Sequence, residues 1–141
     1  MTPTAPDPVG RIVEFVRTHG GGVVATNSAQ GCPESAWVNL AAEDDGRLVF
    51  GTNTASRKFA NLGSDPRVSL VLVSGTGQEF QLEGEAAVLE GAAEQDAAAV
   101  LEARHPGATD KDSTRLVAVR SRWARFVDVA VEPPVREEFE L

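Results

Sequence analysis

The sequence predicts a mainly β fold with helical insertions, in which six antiparallel strands close into a barrel. Short stretches rich in β-branched residues recur along the chain and are separated by turns that contain glycine. One segment repeats apolar residues with the spacing of a helix, and another is rich in alanine, glutamate and glutamine, which favour helices. A chain of 141 residues is long enough for one hydrophobic core and too short for two full-sized domains. We therefore expect a single domain over residues 1–141.

Two longer helices are expected, one at the start of the chain and one in its second half. In the N-terminal segment, residues 1–21, Asp7 and Pro8 form a helix start, and apolar residues then recur with helical spacing until Gly20. Residues 92–104 are rich in alanine and glutamate and are followed by a Pro-Gly stop. Both patterns are typical of helices that connect strands.

The six strands follow from runs of apolar and β-branched residues between polar turns. One of these runs, residues 68–73, is apolar without alternation, which predicts a strand covered on both faces. Gly84 lies inside the next run and predicts a bulge or bend. Residues 132–141 are acidic and are expected to form a C-terminal tail. The predicted strands are residues 23–27, 34–42, 48–50, 68–73, 79–89 and 116–131.

Composition argues against several classes of function. The net charge of −8 disfavours general nucleic-acid binding, which depends on clustered lysine and arginine. No apolar stretch approaches the roughly 20 residues that cross a bilayer, and residues 1–10 lack the pattern of a secretory signal. Cys32 is the single cysteine, and His19 and His105 have no partner at metal-ligand spacing. We therefore expect a cytoplasmic protein with no metal site, no nucleic-acid partner and no membrane partner.

One stretch departs from the acidic character of the chain. Between Gly46 and Gln78 the charged residues are four cations and one acid, which gives +3, so the remainder carries −11. A window of this size suits a single small anion such as a phosphate group. Chance clustering on a solvated face is the alternative. The charged residues of the window are Arg47, Arg57, Lys58, Asp65 and Arg67.

The centre of this window, residues 50–58, has the pattern of a strand end, a turn rich in hydroxyl groups and the start of a short helix. A helix start exposes backbone N–H groups without partners and the positive end of the helix dipole. Arg57 offers a bidentate fork and Lys58 a compact charge, and together these groups describe a phosphate site. The alternative is that Thr54 or Ser56 only caps the helix while both cations face water.

The order Thr-Asn-x-x-Ser-Arg-Lys at residues 52–58, followed by Asp-Pro-Arg-Val-Ser-Leu at residues 65–70, resembles pyridoxamine 5′-phosphate oxidase and the wider family of flavin-binding split-barrel proteins. The resemblance covers about residues 23–129. It implies a six-stranded antiparallel split barrel with Greek-key connections. It also implies that flavin mononucleotide (FMN) lies at the interface of a homodimer.

The resemblance assigns two groups of residues to the cofactor. In the turn, the positions that match Thr52, Arg57 and Lys58 hold the phosphate end of FMN. A strand lies beside the isoalloxazine ring and contacts it partly through backbone groups. Trp37 of this strand stacks on a ring or, as the alternative, packs in the core or in the dimer interface. The residues implied are Gly51, Thr52, Asn53, Ser56, Arg57 and Lys58 in the turn, and Trp37, Val38 and Asn39 in the strand.

The chain departs from the true oxidase at positions that bind phosphate and substrate. The oxidase carries a basic residue at each end of the ring-side strand, whereas Ser35 and Leu40 stand at these positions here. The oxidase also has a C-terminal Arg-x-His pair, which this chain lacks. We therefore do not expect oxidation of pyridoxine or pyridoxamine 5′-phosphate.

The resemblance implies an oxidoreductase in which FMN exchanges a hydride with a small-molecule substrate. No catalytic side chain is assigned, because the flavin itself carries the chemistry. A reductase that uses the deazaflavin coenzyme F-420 is the alternative within enzymes. A non-enzymatic protein that stores or senses a flavin or, less favoured, a heme is the alternative from another class.

Overall fold

The structure of the protein, a computed structural model, describes residues 7–141. Residues 1–6, which belong to the segments considered above for a helix and for a signal, lie outside the described residues. None of the helices in the described range has the length and apolar character needed to span a membrane. The elements in chain order are α1 (Pro8–His19), β1 (Gly21–Asn27), β2 (Pro33–Asn39), β3 (Ala41–Ala42), β4 (Leu48–Asn53), α2 (Arg57–Ser64), β5 (Arg67–Val73), β6 (Gln78–Val88), α3 (Gly91–Arg104), β7 (Thr114–Asp128) and β8 (Val135–Glu140).

All the strands belong to one antiparallel sheet that curls around a core. The order along the sheet is β2-β1-β5-β6-β7-β4-β3, and β8 pairs with β7 outside this path. Strands β5, β6 and β7 are sequential neighbours, whereas β4 returns across the fold to pair with β7, which is a Greek-key arrangement. The prediction of a mainly β, antiparallel split barrel with helical insertions is confirmed.

The predicted count of six strands is wrong, first because residues 34–42 form two strands. β2 pairs with β1, whereas β3 pairs with β4. At the break between them, the Leu40 N–H donates to the Gly20 carbonyl (2.9 Å). The Leu40 carbonyl accepts from Nε2 of His105 at the end of α3 (3.0 Å). A helix that is remote in sequence therefore occupies the point where the chain changes sheet partners.

The second difference is β8, which lies inside the predicted tail, residues 132–141. Its residues alternate, so that Glu137 and Phe139 are half-buried while Glu138 is exposed. Arg11 of α1 lies over the Phe139 ring, 5.3 Å from its centroid, and forms an ion pair with Glu137 at 3.3 Å. The acidic composition of residues 132–141 therefore gave no indication of this strand. Its inward-facing residues are stabilised by contacts with one arginine.

The main core fills the inside of the curled sheet. Phe80 of β6 is 2% exposed and lies near its centre. Its ring packs edge-on against Phe15 of α1, with centroids 5.2 Å apart, and contacts Phe126 of β7 at 5.0 Å. Burial of such a side chain contributes roughly 1.5–3 kcal/mol. The aromatic cluster therefore joins α1 to the middle of the sheet.

A second core cluster lies on the other face of β4 and β7, where α3 packs with Ala97 and Leu101. Two carboxylates of the helix accept hydrogen bonds, one from the sheet and one from the loop that follows the helix. Glu94 accepts a hydrogen bond from Arg115 Nε of β7 (2.8 Å), which lowers the pKa of the Glu94 carboxyl. At the other end, the Gly107 N–H and then the Thr109 hydroxyl and N–H donate to Glu102, and these bonds lower the pKa of Glu102.

The lowered pKa of Glu102 predicts how its contribution to stability depends on pH. The folded chain favours the carboxylate, so the stabilisation is complete above the ordinary glutamate pKa of about 4.3 and disappears as the pH falls through the lower folded value. Glu102→Gln is expected to lower the urea midpoint at about pH 7, and the difference should shrink toward about pH 3. The exposed Glu138→Gln is the control and should change little at either pH. A Glu102→Gln difference that is equally large at both pH values would contradict this account.

The prediction that residues 68–73 are covered on both faces is wrong for the single chain. Along β5 every second residue is buried, but Val71 is only half-buried and Val73 is 48% exposed. Val71 lies beside Val23 of β1, which lies beside Trp37 of β2. A continuous apolar sequence is compatible with a strand that is buried on both faces and also with a strand that is exposed on one face. We call Val23, Trp37, Val71 and Val73 the outer patch.

The bulge predicted at Gly84 is confirmed. The register between β6 and β7 shifts at this point, because Glu83 pairs with Trp123 whereas Gly84 pairs with Ser121. A Cβ atom at Gly84 would collide with the backbone carbonyl of Arg120. Glycine therefore lets the two strands approach each other where the sheet bends.

Candidate phosphate site at the β4–α2 turn

The predicted phosphate turn lies where β4 leaves the core and α2 begins. Thr52 is 3% exposed, and its hydroxyl oxygen is 2.9 Å from that of Ser56, so the two share a hydrogen bond. Ser56 Oγ also accepts from the Phe59 N–H (3.2 Å), which makes Ser56 the N-cap of α2. Ser56 therefore caps the helix, which is one part of the alternative given above. With Thr52 as the donor in the shared bond, the Ser56 hydroxyl hydrogen stays available to a ligand.

Asn53 and Gly51 shape the turn. The Asn53 side chain accepts from the Ala55 N–H (2.8 Å) and donates to Ser113 Oγ (3.1 Å), so both ends of its amide bind within the chain. A Cβ atom at Gly51 would lie 3.0 Å from Thr114 Cγ2, so glycine lets β4 lie close to β7. In this arrangement both residues shape the turn, Asn53 through its hydrogen bonds and Gly51 through the close approach of β4 to β7.

Arg57 and Lys58 form the first turn of α2. Within residues 7–141 the backbone N–H groups of both residues have no acceptor, and the Lys58 ammonium has no carboxylate partner. The Arg57 side chain is 82% exposed and forms an ion pair with Glu34 of β2. Hydrogen-bond donors that lack acceptors at a helix start are the groups that an anion binds.

Most of the other charge in the basic window is neutralised by nearby acids. Arg47 contacts Glu43 at 2.7 Å and Asp45 at 3.0 Å. Arg67 contacts Asp65 at 2.8 Å, and this bond holds the pKa of the Asp65 carboxyl well below its usual range. Arg47 and Arg67 are therefore neutralised within the basic window. The remaining two cations of the window lie at the start of α2.

Glu34 is the residue at this site that the sequence analysis missed. Its Oε1 accepts from Asn61 Nδ2 (2.8 Å), and the same amide donates to Thr26 Oγ1 (2.9 Å). Asn61 is 6% exposed and Thr26 is fully enclosed, so a buried polar chain joins β1, α2 and β2. Glu34 belongs to another strand and lies outside the basic window, and only the three-dimensional fold brings its charge beside Arg57.

The three predicted ring-side residues differ in side-chain exposure and in the direction of their backbone groups. Trp37 is 61% exposed and Asn39 is exposed, whereas Val38 is buried in the core. The bond from the Leu40 N–H to Gly20 fixes the alternation along β2. Antiparallel alternation then turns the backbone groups of Val38 toward β1 and those of Trp37 and Asn39 away from it. Because β2 is the edge of the sheet, these outward groups lack a strand partner in the described part of the chain.

The donor set fits the phosphate group of a flavin nucleotide. Two cations, two backbone N–H groups and one hydroxyl group lie within the first turn of α2 and its cap. Glu34, beside this turn, and Trp37 are three residues apart, which is about 10 Å along a strand. Within residues 7–141 no three metal-ligand side chains cluster. The arrangement is suited to holding an anion at one end of an open strand edge.

The sequence pattern that defines the family described as pyridoxamine 5′-phosphate oxidase matches residues 9–128 of this chain. No curated protein is similar enough in sequence to match it. The family pattern therefore extends from the second residue of α1 to the last residue of β7.

Solved structures share this fold. A heme binding protein from Mycobacterium smegmatis has a TM-score of 0.80 and 20% identity over 98% of this chain, which spans 60% of the length of that protein. A pyridoxamine 5′-phosphate oxidase-related, FMN binding protein from Nostoc punctiforme has a TM-score of 0.70 and 15% identity, with 97% of this chain and 93% of that chain covered. A heme storage protein from Vibrio cholerae has a TM-score of 0.67 and 18% identity, with 79% and 87% covered. Similarity at these identities shows the fold alone.

Proposed function

Because the chain belongs to the pyridoxamine 5′-phosphate oxidase family, we propose that it is a flavin-binding oxidoreductase that exchanges a hydride between FMN and a small molecule. The observation that carries the proposal is the set of donors without acceptors at the start of α2. A single exposed cysteine, Cys32, suits a reducing compartment such as the cytoplasm.

Each residue of the site has a separate task in this proposal. Arg57, Lys58 and the Ser56 hydroxyl hold the phosphate group, while the buried Thr52 positions Ser56 through their shared hydrogen bond. The outward backbone groups of β2 and the exposed Trp37 ring border the isoalloxazine. When bound, the flavin supplies a ring that accepts or donates a hydride. The side chains of the protein bind and orient it.

A homodimer completes the proposal, and the outer patch supports it. Trp37 and Val73 are large apolar side chains exposed in the single chain. Val23 lies on β1 between their strands and pairs with both Trp37 and Val71, and Val71 belongs to the same strand as Val73. Contiguous apolar surface on a small protein marks an interaction site. Because Trp37 belongs both to this patch and to the ring-side strand, a second copy of the chain would cover the patch next to the cofactor.

The second candidates are other cofactors and a role without turnover. The deazaflavin coenzyme F-420 suits the same donor set because it also carries a phosphate group. Heme is favoured by the two fold neighbours that are described as heme-binding and heme-storage proteins. A protein that stores or senses its cofactor would use the same binding groups without a substrate.

Titration of the purified protein with FMN tests the proposal. We expect the flavin fluorescence to change until one FMN is bound per chain, and we expect sedimentation equilibrium to give a dimer at micromolar concentration. Heme, added in place of FMN, should not produce a stoichiometric spectral change. Saturable binding of heme with no binding of FMN would replace the flavin proposal by the heme alternative, and a strictly monomeric protein would contradict the dimer.

A further inference from the structure

Glu34 places a negative charge inside a site that would bind a negative ligand. One oxygen of its carboxylate pairs with Arg57, the cation proposed to hold the phosphate, and the other accepts from Asn61. A phosphate bound at the start of α2 would therefore meet a carboxylate within the reach of one arginine side chain. Like charges at such distances repel each other.

The carboxylate, and not the guanidinium, is the fixed member of this ion pair. The Glu34 side chain is 18% exposed and is held by the buried Asn61 amide, which is itself bound to Thr26. The Arg57 side chain is 82% exposed and is the member that is free to turn. A phosphate that binds at the turn thus attracts Arg57. Glu34 then stays in place, and its negative charge is less well neutralised because Arg57 has moved away.

The charge balance of the site follows from these contacts. Arg57 and Lys58 bring two positive charges and Glu34 removes one, so the side chains leave a single net positive charge beside the helix start. The repulsion from Glu34 is proportional to the charge of the ligand. A phosphomonoester with two negative charges therefore suffers twice the repulsion of a phosphodiester with one.

We propose that Glu34 is a specificity-determining residue that reduces the preference of the β4–α2 turn for doubly charged phosphomonoesters over singly charged phosphodiesters. This inference rests on the proposed flavin function. The remaining positive charge still attracts FMN, and Glu34 narrows the difference in affinity between FMN and a cofactor whose phosphate group is esterified on both sides, which is the chemistry of the deazaflavin coenzyme. Glu34 acts by charge, so an uncharged side chain of the same shape should restore the full preference for the doubly charged ligand.

Glu34→Gln tests this, because glutamine keeps an oxygen for the Asn61 bond and removes the charge. The probes are FMN, its monomethyl phosphodiester and riboflavin, which carry two, one and no negative charges on the phosphate position at about pH 8. We expect the variant to bind FMN at least about tenfold more tightly than the wild type does. The change in binding free energy is proportional to the charge of the ligand. The affinity for the diester should therefore increase about threefold, and the affinity for riboflavin should be unchanged.

Glu43→Gln is the matched control. Glu43 is buried to a similar degree, with 15% of its side chain exposed, and pairs with Arg47 away from the turn. It should leave all three affinities unchanged. Equal gains for all three probes, or no gain for FMN, would overturn the role of Glu34. If the wild type binds FMN no better than riboflavin, the phosphate site itself is wrong, and the role of Glu34 is wrong with it. FMN binding that depends on Arg57 but not on Glu34 would refute the role of Glu34 alone.

Discussion

Replacing both Arg57 and Lys58 by alanine is expected to weaken FMN binding by at least about a hundredfold. Each charge-assisted contact with a phosphate contributes roughly 1.5–3 kcal/mol, and the double variant removes two of them. Riboflavin lacks the phosphate group and should bind the wild type and the variant about equally. Fluorescence titration with both ligands measures the two affinities, and circular dichroism should show that the variant stays folded, since alanine suits a helix.

The control for this variant is Arg17→Ala. Arg17 also forms an ion pair with a carboxylate from another element, Asp44 at 2.7 Å, but it lies on α1 and away from the β4–α2 turn. The affinity of the Arg17→Ala variant for FMN should stay within about twofold of the affinity of the wild type. Unchanged FMN binding by the double variant would show that the phosphate group lies elsewhere, and the residues carried over from the family would be wrong with it.

Phe80→Ala is expected to reduce the free energy of unfolding by about 3–5 kcal/mol. Phe80 is enclosed among aromatic rings from α1 and β7, so truncation leaves a cavity where the helix meets the sheet. Urea unfolding measured by circular dichroism gives the value. Phe59→Ala is the matched control, because Phe59 is half-buried and lies outside both core clusters. Equal losses for the two variants would show that the aromatic cluster does not have this role.

The sequence predicted those parts of the fold whose signals are local. The helix over residues 92–104 and the bulge at Gly84 both depend on residue types within a few positions of each other, and both are confirmed. The break at Leu40 was missed because it depends on His105, which is remote in sequence. Strand β8 was missed because its inward residues are stabilised by Arg11 from the other end of the chain.

The same division applies to the candidate site. Thr52, Ser56, Arg57 and Lys58 are neighbours in sequence, and a hydroxyl-rich helix start predicts their arrangement without any tertiary information. Glu34 could not be found in this way, since its position next to Arg57 results from how β2 folds onto α2. Electrostatic balance in a site is a property of the assembled structure, and a window of sequence gives only part of it.

The open edge of β2 also affects the tendency of the protein to aggregate. The outward N–H and C=O groups of Trp37 and Asn39 form a row that another strand can extend, and an exposed apolar side chain stands beside it. Pro33 blocks extension only at the first residue of the strand. In the proposed complex, the flavin ring or a second copy of the chain would cover this edge and remove a template for aggregation. We therefore expect the solubility of the protein to increase when the cofactor is bound.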